Sequence, residues 1–163
     1  MIPKIIHYCW FGGAMPNEMK KCISSWVPNL WANGYELMFW NDNNASRYLN
    51  TENSKYLYDN KCYSFLSDYV RFSVLYEYGG IYLDTDVKLI NSFDKILDLN
   101  TYIGLERIDA YDSDISFGGH IISSAILGTD KNNPFFLKML FEINLLKKEE
   151  LYGKQRVLIG EIM

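Results

Sequence analysis

Between Tyr63 and Leu83 the chain leaves no room for a polar helix face. Helical spacing over 63–78 distributes Phe65, Leu66, Tyr69, Val70, Phe72, Val74 and Leu75 all round the axis, and a helix that is apolar on every side has to be enclosed. Gly79-Gly80 close it, because glycine takes positive-φ backbone at little cost. The Ile81-Tyr82-Leu83 run that follows reads as a buried strand ending near Asp84. An enclosed helix feeding an enclosed strand calls for layers, with helices packed on a sheet. Asp68 and Arg71 sit three residues apart on that helix, where charges are costly unless they meet each other or a ligand.

The flanking sequence agrees with an α/β architecture. Residues 3–11 form a nearly continuous apolar, β-prone run that stops at Gly12-Gly13 and reads as the first strand. Asn17 is expected to cap a helix through Met19, Cys22, Ile23 and Trp26, with Pro28 marking its end or a kink. A second strand, Tyr35 to Trp40, breaks at Asn41-Asp42-Asn43-Asn44. Beyond Asp84 a further short strand is expected from Val87, then a small helix near Phe93–Leu97 and a strand from Tyr102 to Leu105. A polar loop from Glu106 to about Gly119 and a strand near Ile121–Leu127 lead to a terminal helix ending around Lys147. Phe135, Phe136, Leu137, Leu140 and Phe141 would form that helix's apolar face, and partial exposure of the face would favour self-association. No repeat or low-complexity linker divides the 163 residues, which suit one domain over 1–163.

Composition narrows the function classes. Aromatic residues make up 16% of the chain, more rings than a core of this size is expected to hide, so some should line a pocket or a partner surface. The net charge of −4 argues against nucleic acid, whose phosphates need clustered Lys and Arg. Lys20-Lys21 and Lys147-Lys148 read as solvated helix faces and leave room for weak peripheral contact with an anionic membrane. The first residues lack a secretory pattern and no apolar run reaches the roughly 18 residues of a spanning helix, so a cytoplasmic location is expected. Cys9, Cys22 and Cys62 are widely spaced without a CxxC pair, which fits reduced thiols better than zinc.

Paired carboxylates at i and i+2 of extended chain point the same way and offer hard oxygen ligands to a divalent cation. Two such pairs occur, Asp84-Thr85-Asp86 and Asp112-Ser113-Asp114, and context separates them. The second lies in the polar stretch and reads as a solvated loop. The first leaves a buried strand at its carboxyl end, where ligands bind in open α/β sheets; its plain alternative is a turn that caps backbone groups. His7, inside the first strand, reads as a satisfied core histidine, and His120 could face an acceptor.

Taken together, Ser67-Asp68-Tyr69-Val70-Arg71 and Tyr78-Gly79-Gly80-Ile81-Tyr82-Leu83-Asp84-Thr85-Asp86 resemble the DXD-containing sugar-binding region of glycosyltransferase family 32 and its relatives. The opening Ile2-Pro3-Lys4-Ile5-Ile6-His7-Tyr8-Cys9-Trp10-Phe11-Gly12-Gly13 is similar to that family's start. The resemblance implies a GT-A-like fold with a mixed, mostly parallel sheet flanked by helices. It implies a retaining glycosyltransferase that uses Mn²⁺ or Mg²⁺ to move a sugar from a nucleotide-sugar donor. By the same resemblance, Trp10 would stack on the nucleotide base, while Asp68 and Arg71 would hold the donor sugar. Tyr82 would line the nucleotide pocket, Asp84 would contact ribose and the metal shell, and Asp86 would ligate the metal. A UDP-sugar is favoured because a single stacking Trp suits uracil. The acceptor would be a saccharide or lipid-linked saccharide in surface polysaccharide synthesis, such as capsule. Where the family often carries Asn, this chain has Ser124, and the family's C-terminal His- and Trp-containing segment is not found, so a shortened form is expected.

Two other classes compete. A non-catalytic nucleotide- or sugar-binding module would also account for the aromatic excess. A haloacid-dehalogenase-like phosphatase also uses Asp-x-Asp after an apolar strand, but places it on the first strand and wants Thr or Val where Lys88 stands.

Overall fold

A computed structural model describes residues 1–107 and 120–151. Its sheet has five strands: β1 (Ile5–Cys9), β2 (Glu36–Trp40), β3 (Gly80–Leu83), β4 (Thr101–Arg107) and β5 (His120–Thr129). They lie in the order β2-β1-β3-β5-β4. β1 pairs in parallel with β2 and β3, whereas β5 runs antiparallel to both β3 and β4. Four strands therefore share one direction and β5 alone opposes them, the mixed, mostly parallel arrangement expected.

Five helices flank this sheet among the described residues: α1 (Asn17–Ser24), α2 (Trp26–Leu30), α3 (Glu52–Asp59), α4 (Tyr63–Tyr78) and α5 (Pro134–Leu145). Strand alternation divides the core into two layers. On one face Ile6, Ile81 and Leu83 pack with Trp26 and Leu30. On the other, Cys9, Tyr82 and Leu127 meet Leu66, Phe72 and Leu75 of α4 together with Phe136 and Met139 of α5. α4 spans the 63–78 window read from the apolar pattern and is enclosed between the sheet and α5.

Several local expectations change. Asn17 is the first residue of α1 rather than its cap, because Pro16 occupies the N-cap position. The helical segment breaks at Ser25, and Pro28 lies inside α2 at its third position, where the first turn has no i−4 carbonyl to lose. Residues from Val87 to Ile90 form no strand; the Val87 and Leu89 carbonyls instead accept from Trp26 Nε1 (2.8 Å) and Asn29 Nδ2 (3.4 Å). β4 continues through Arg107, beyond the expected strand end, and the remainder of the expected polar loop, with Asp112 and Asp114, lies outside the described residues. Leu137 and Phe141 of α5 are exposed, as expected, whereas Phe136 is fully buried.

The α4–β3 junction fixes the sheet against the helix layer. Gly80 adopts φ +100°, and a Cβ there would stand 2.6 Å from the Ile5 carbonyl oxygen, so β1 and β3 approach only because the side chain is absent. Beside it, fully buried His7 places Nε2 2.9 Å from the Gly79 carbonyl, while its Nδ1 lies 3.1 Å from Trp40 Nε1. The indole can only donate, so Nδ1 accepts and Nε2–H donates to Gly79, which fixes a neutral tautomer. Burial lowers the His7 pKa to about 4, opposed by the Gly79 hydrogen bond.

This histidine should leave a mark on acid stability. The unfolded chain takes up a proton near pH 6.5 and the folded chain near pH 4, so stability is full above 6.5 and falls as pH drops toward 4. The contribution is about 3 kcal/mol. Urea midpoints measured across that window should fall less steeply in His7→Gln, which keeps an amide donor for Gly79 and cannot protonate.

Candidate active site

The carboxyl ends of β1, β2 and β3 converge with the middle of α4. Asp84 follows β3 directly, and its backbone N–H donates to the Ala125 carbonyl of β5 at 2.9 Å. A tight turn follows, in which Val87 N–H donates to the Asp84 carbonyl (3.1 Å) and Asp86 is left exposed. The two carboxylates thus stand at the rim of the sheet.

Arg71 rises from α4 beneath them. Its Nη2 lies 2.8 Å from Asp84 Oδ1 and 3.3 Å from Asp68 Oδ1, and its Nη1 donates to the Ser124 carbonyl of β5. The guanidinium also lies over the Tyr82 ring, 4.3 Å from its centroid. Burial works against the Arg71 charge, but Tyr82, Asp68 and Asp84 outweigh it and hold the proton more firmly than usual. Arg71 is 4% exposed, whereas the Asp68 and Asp84 side chains keep 22% and 32% of their surface. The acids face outward, and the base beneath them fixes their direction.

Desolvation raises the Asp84 carboxyl above its ordinary range; Arg71 opposes the shift and the neighbouring Asp86 charge adds to it. Two carboxylates in that situation favour an added cation. Among the described residues no group of three or more His, Cys, Asp or Glu side chains is assembled for a metal. A pair of carboxylates nevertheless fits Mg²⁺ or Mn²⁺ that takes its remaining ligands from substrate phosphates and water.

Beside this cluster, at the ends of β1 and β2, opens a cavity of about 580 Å³ lined in part by Trp10, Tyr8, Phe39, Met15 and Asn41–Asn43. Tyr8 and Phe39 stack with centroids 4.8 Å apart. Trp10 Nε1 is buried without a hydrogen-bond partner. The loop carrying Trp10 is held from two sides. Gly12 N–H donates to Asp42 Oδ2 at 3.2 Å, and a Cβ at Gly12 would fall 2.0 Å from Tyr63 Cε2 of α4.

All six residues expected at the site from sequence therefore occupy one end of the sheet. Trp10 lines the cavity, whereas Asp68, Asp84 and Asp86 are accessible at the end of β3 and are not among its lining residues. Tyr82 is 1% exposed and supports Arg71 instead of forming a pocket wall. His7 is the satisfied core residue expected. Cys9, buried near Arg71 and Tyr82 with its thiol pushed up to about 12 by desolvation, was not anticipated at the site, nor were Tyr8 and Phe39. Period-2 alternation back from Trp10 places Tyr8 on the cavity face, a signal present in the sequence. Asp84 leaves the third strand in chain order and not the first, so the phosphatase arrangement is not met.

Comparison with known proteins gives concordant results. The family described as glycosyltransferase sugar-binding region containing DXD motif matches residues 16–103, which include Asp68, Arg71, Asp84 and Asp86. Inositol phosphoceramide mannosyltransferase 3 of Schizosaccharomyces pombe is 32% identical over 146 residues, covering 85% of this chain and 36% of the relative. An uncharacterized glycosyltransferase of Acanthamoeba polyphaga mimivirus is 29% identical over 83% of this chain and 53% of its own. A mannosyl phosphorylinositol ceramide synthase of Saccharomyces cerevisiae is 26% identical over 91% and 37%. The chain thus spans between about a third and a half of these relatives. Among solved structures, PaToxG glycosyltransferase superposes on 99% of this chain and 67% of that one with a TM-score of 0.63 at 19% identity, which establishes a GT-A-like fold.

Proposed function

Since the chain belongs to the glycosyltransferase family defined by the DXD-containing sugar-binding region, we propose that it transfers a sugar from a nucleotide-sugar donor to the hydroxyl of a saccharide or lipid-linked saccharide, within glycosyltransferase family 32. The observation that carries this reading is the Asp68–Arg71–Asp84 cluster at the end of β3, beside a cavity walled by Trp10. The base occupies that cavity against Trp10, with uracil favoured, and the sugar lies toward Asp68. The diphosphate lies between them, at Asp84 and Asp86. Relatives named as acting on inositol phosphoceramide support a lipid-linked acceptor at a membrane surface.

Asp84 and Asp86 would hold Mn²⁺ or Mg²⁺, which when bound neutralises a diphosphate leaving group. Asp68 orients the donor by accepting from sugar hydroxyls, while Arg71 pairs with both carboxylates and holds them directed outward. Trp10 and the clamped glycine loop fix the nucleotide, so that an acceptor hydroxyl meets the anomeric carbon at high effective concentration. The configuration is retained through attack on the leaving-group face.

A thermal-shift panel of UDP- and GDP-sugars with and without Mn²⁺ tests this reading, because a ligand that binds only the folded state raises its apparent stability. Stabilisation that requires both nucleotide and Mn²⁺, followed by transfer to saccharide or inositol-phospholipid acceptors, is expected. Stabilisation by no nucleotide would refute the site, and binding without transfer or donor hydrolysis would favour a non-catalytic module. NMR of the product distinguishes retention from inversion.

A further inference from the structure

Arg71 and Asp84 each meet a backbone carbonyl of β5, at the point where that strand's pairing with β4 is irregular. β4 and β5 pair regularly from Thr101↔Thr129 to Ile103↔Leu127, but the next partner of β4, Gly104, lies opposite Ser123. Ser124, Ala125 and Ile126 have no counterpart on β4. They remain beside β3, where Ile126 pairs with Leu83 and the Ala125 carbonyl takes the Asp84 N–H (2.9 Å), while the Ser124 carbonyl takes Arg71 Nη1. Regular antiparallel pairing would commit alternate carbonyls of this stretch to β4. The bulge frees the Ser124 carbonyl for Arg71 and adds local bend, whereas the Asp84–Ala125 bond beside it extends the β3–β5 register of Tyr82↔Leu127 and Leu83↔Ile126.

We propose that this three-residue bulge is the positioning element of the site, and that Gly104 is the residue that accommodates it. Gly104 has no side chain on the strand face opposite the bulge: a Cβ there would contact the Ile126 carbonyl at 3.4 Å and Ser123 Cβ at 3.7 Å. A methyl group fits at those distances, but a branched side chain does not. Pressure on Ile126 would pass along the bulge to the Ala125 and Ser124 carbonyls, and so to the Asp84 backbone and the Arg71 guanidinium. Neither Gly104 nor the bulge carbonyls need touch donor; they act through Arg71 and Asp84. The inference rests on the proposed nucleotide-sugar reading for its effect on binding, though not for its effect on the backbone.

The test compares Gly104→Ala and Gly104→Val in the whole chain. Calorimetric titration with UDP and with GDP, each with Mn²⁺, is expected to give Ala within about twofold of the parent and Val at least tenfold weaker; the same Val protein should require more Mn²⁺ for half-saturation. Hydrogen exchange read at single residues supplies the second measurement. The Asp84 amide should be protected in the parent and in Ala and exchange at least tenfold faster in Val, with the Tyr82 and Leu127 amides unchanged. A Val variant with parental nucleotide affinity and a protected Asp84 amide would overturn the proposal, as would an unprotected Asp84 amide in the parent. If the parent binds neither nucleotide while the exchange pattern holds, the functional reading fails and the positioning role stands. Should Val fail to fold, Gly104→Ser, one atom longer than Ala, takes its place: an Asp84 amide that exchanges faster than in the parent supports the proposal, and parental exchange with parental nucleotide affinity overturns it.

Discussion

Asp86→Asn is expected to lower Mn²⁺-dependent sugar transfer on the order of 10³-fold while leaving the thermal midpoint almost unmoved. Asp86 is exposed within the turn closed by the Val87–Asp84 backbone hydrogen bond, so the fold does not depend on its charge. Asparagine preserves its shape and removes one of the two anionic ligands that would face a diphosphate-bound cation. Losses of 10²–10³ accompany removal of a single preorganised group that stabilises developing charge, and a metal ligand belongs at the upper end. kcat/KM measured against Mn²⁺ concentration checks the expectation, with calorimetry beside it. Parental activity in a well-folded Asp86→Asn protein would mean that the cation, or the diphosphate, lies elsewhere. Asp84→Asn is a less clean probe, because it also breaks the 2.8 Å pair with Arg71.

Arg71→Met should strike both stability and function. The side chain is 4% exposed, and its removal leaves two carboxylates unbalanced and the Ser124 carbonyl without its donor. Breaking a buried ion pair from one side costs about 3–5 kcal/mol. Asp68 and Asp84 retain partial contact with water, at 22% and 32%, which places the value toward the lower bound. For a chain of this size the midpoint should fall by roughly 6–12 °C. Scanning calorimetry gives that number directly. Arg71→Lys is the informative companion: one ammonium cannot reproduce the planar fork that reaches the Ser124 carbonyl and both acids at once. It should recover part of the stability and little of the nucleotide binding. Full recovery of both by Lys would show that charge alone suffices.

The sequence showed the site's ingredients more clearly than their arrangement. The enclosed helix over 63–78, the strand after Gly79-Gly80 and the Asp84/Asp86 pair were legible because each is a local pattern of periodicity or punctuation. α3 was missed, although Thr51 and Ser54 form a capping box there, because its Ser at the third position is a weaker signal than Glu or Gln. The expected strand at Val87 failed because the carbonyls of Val87 and Leu89 are taken by side chains of α2, about sixty residues earlier in the chain. Burial of Tyr82 under Arg71, the placement of Cys9 and the bulge at Ser124–Ile126 depend on which strands become neighbours, and no short window of residues contains that information.

The sheet order carries a consequence for how the molecule is made. β4 precedes β5 along the chain, yet among the described strands its only neighbour is β5, which inserts between it and β3. As the polypeptide emerges, β1, β2, β3 and α4 can associate while β4 still has no partner. The Ser124 carbonyl that accepts from Arg71 belongs to β5 and reaches the guanidinium only when that strand pairs. Arrival of β5 joins β4 to the sheet and completes the setting of the two acids in a single event. The proposed cation site is therefore set only once β5 has paired, together with the closure of the sheet.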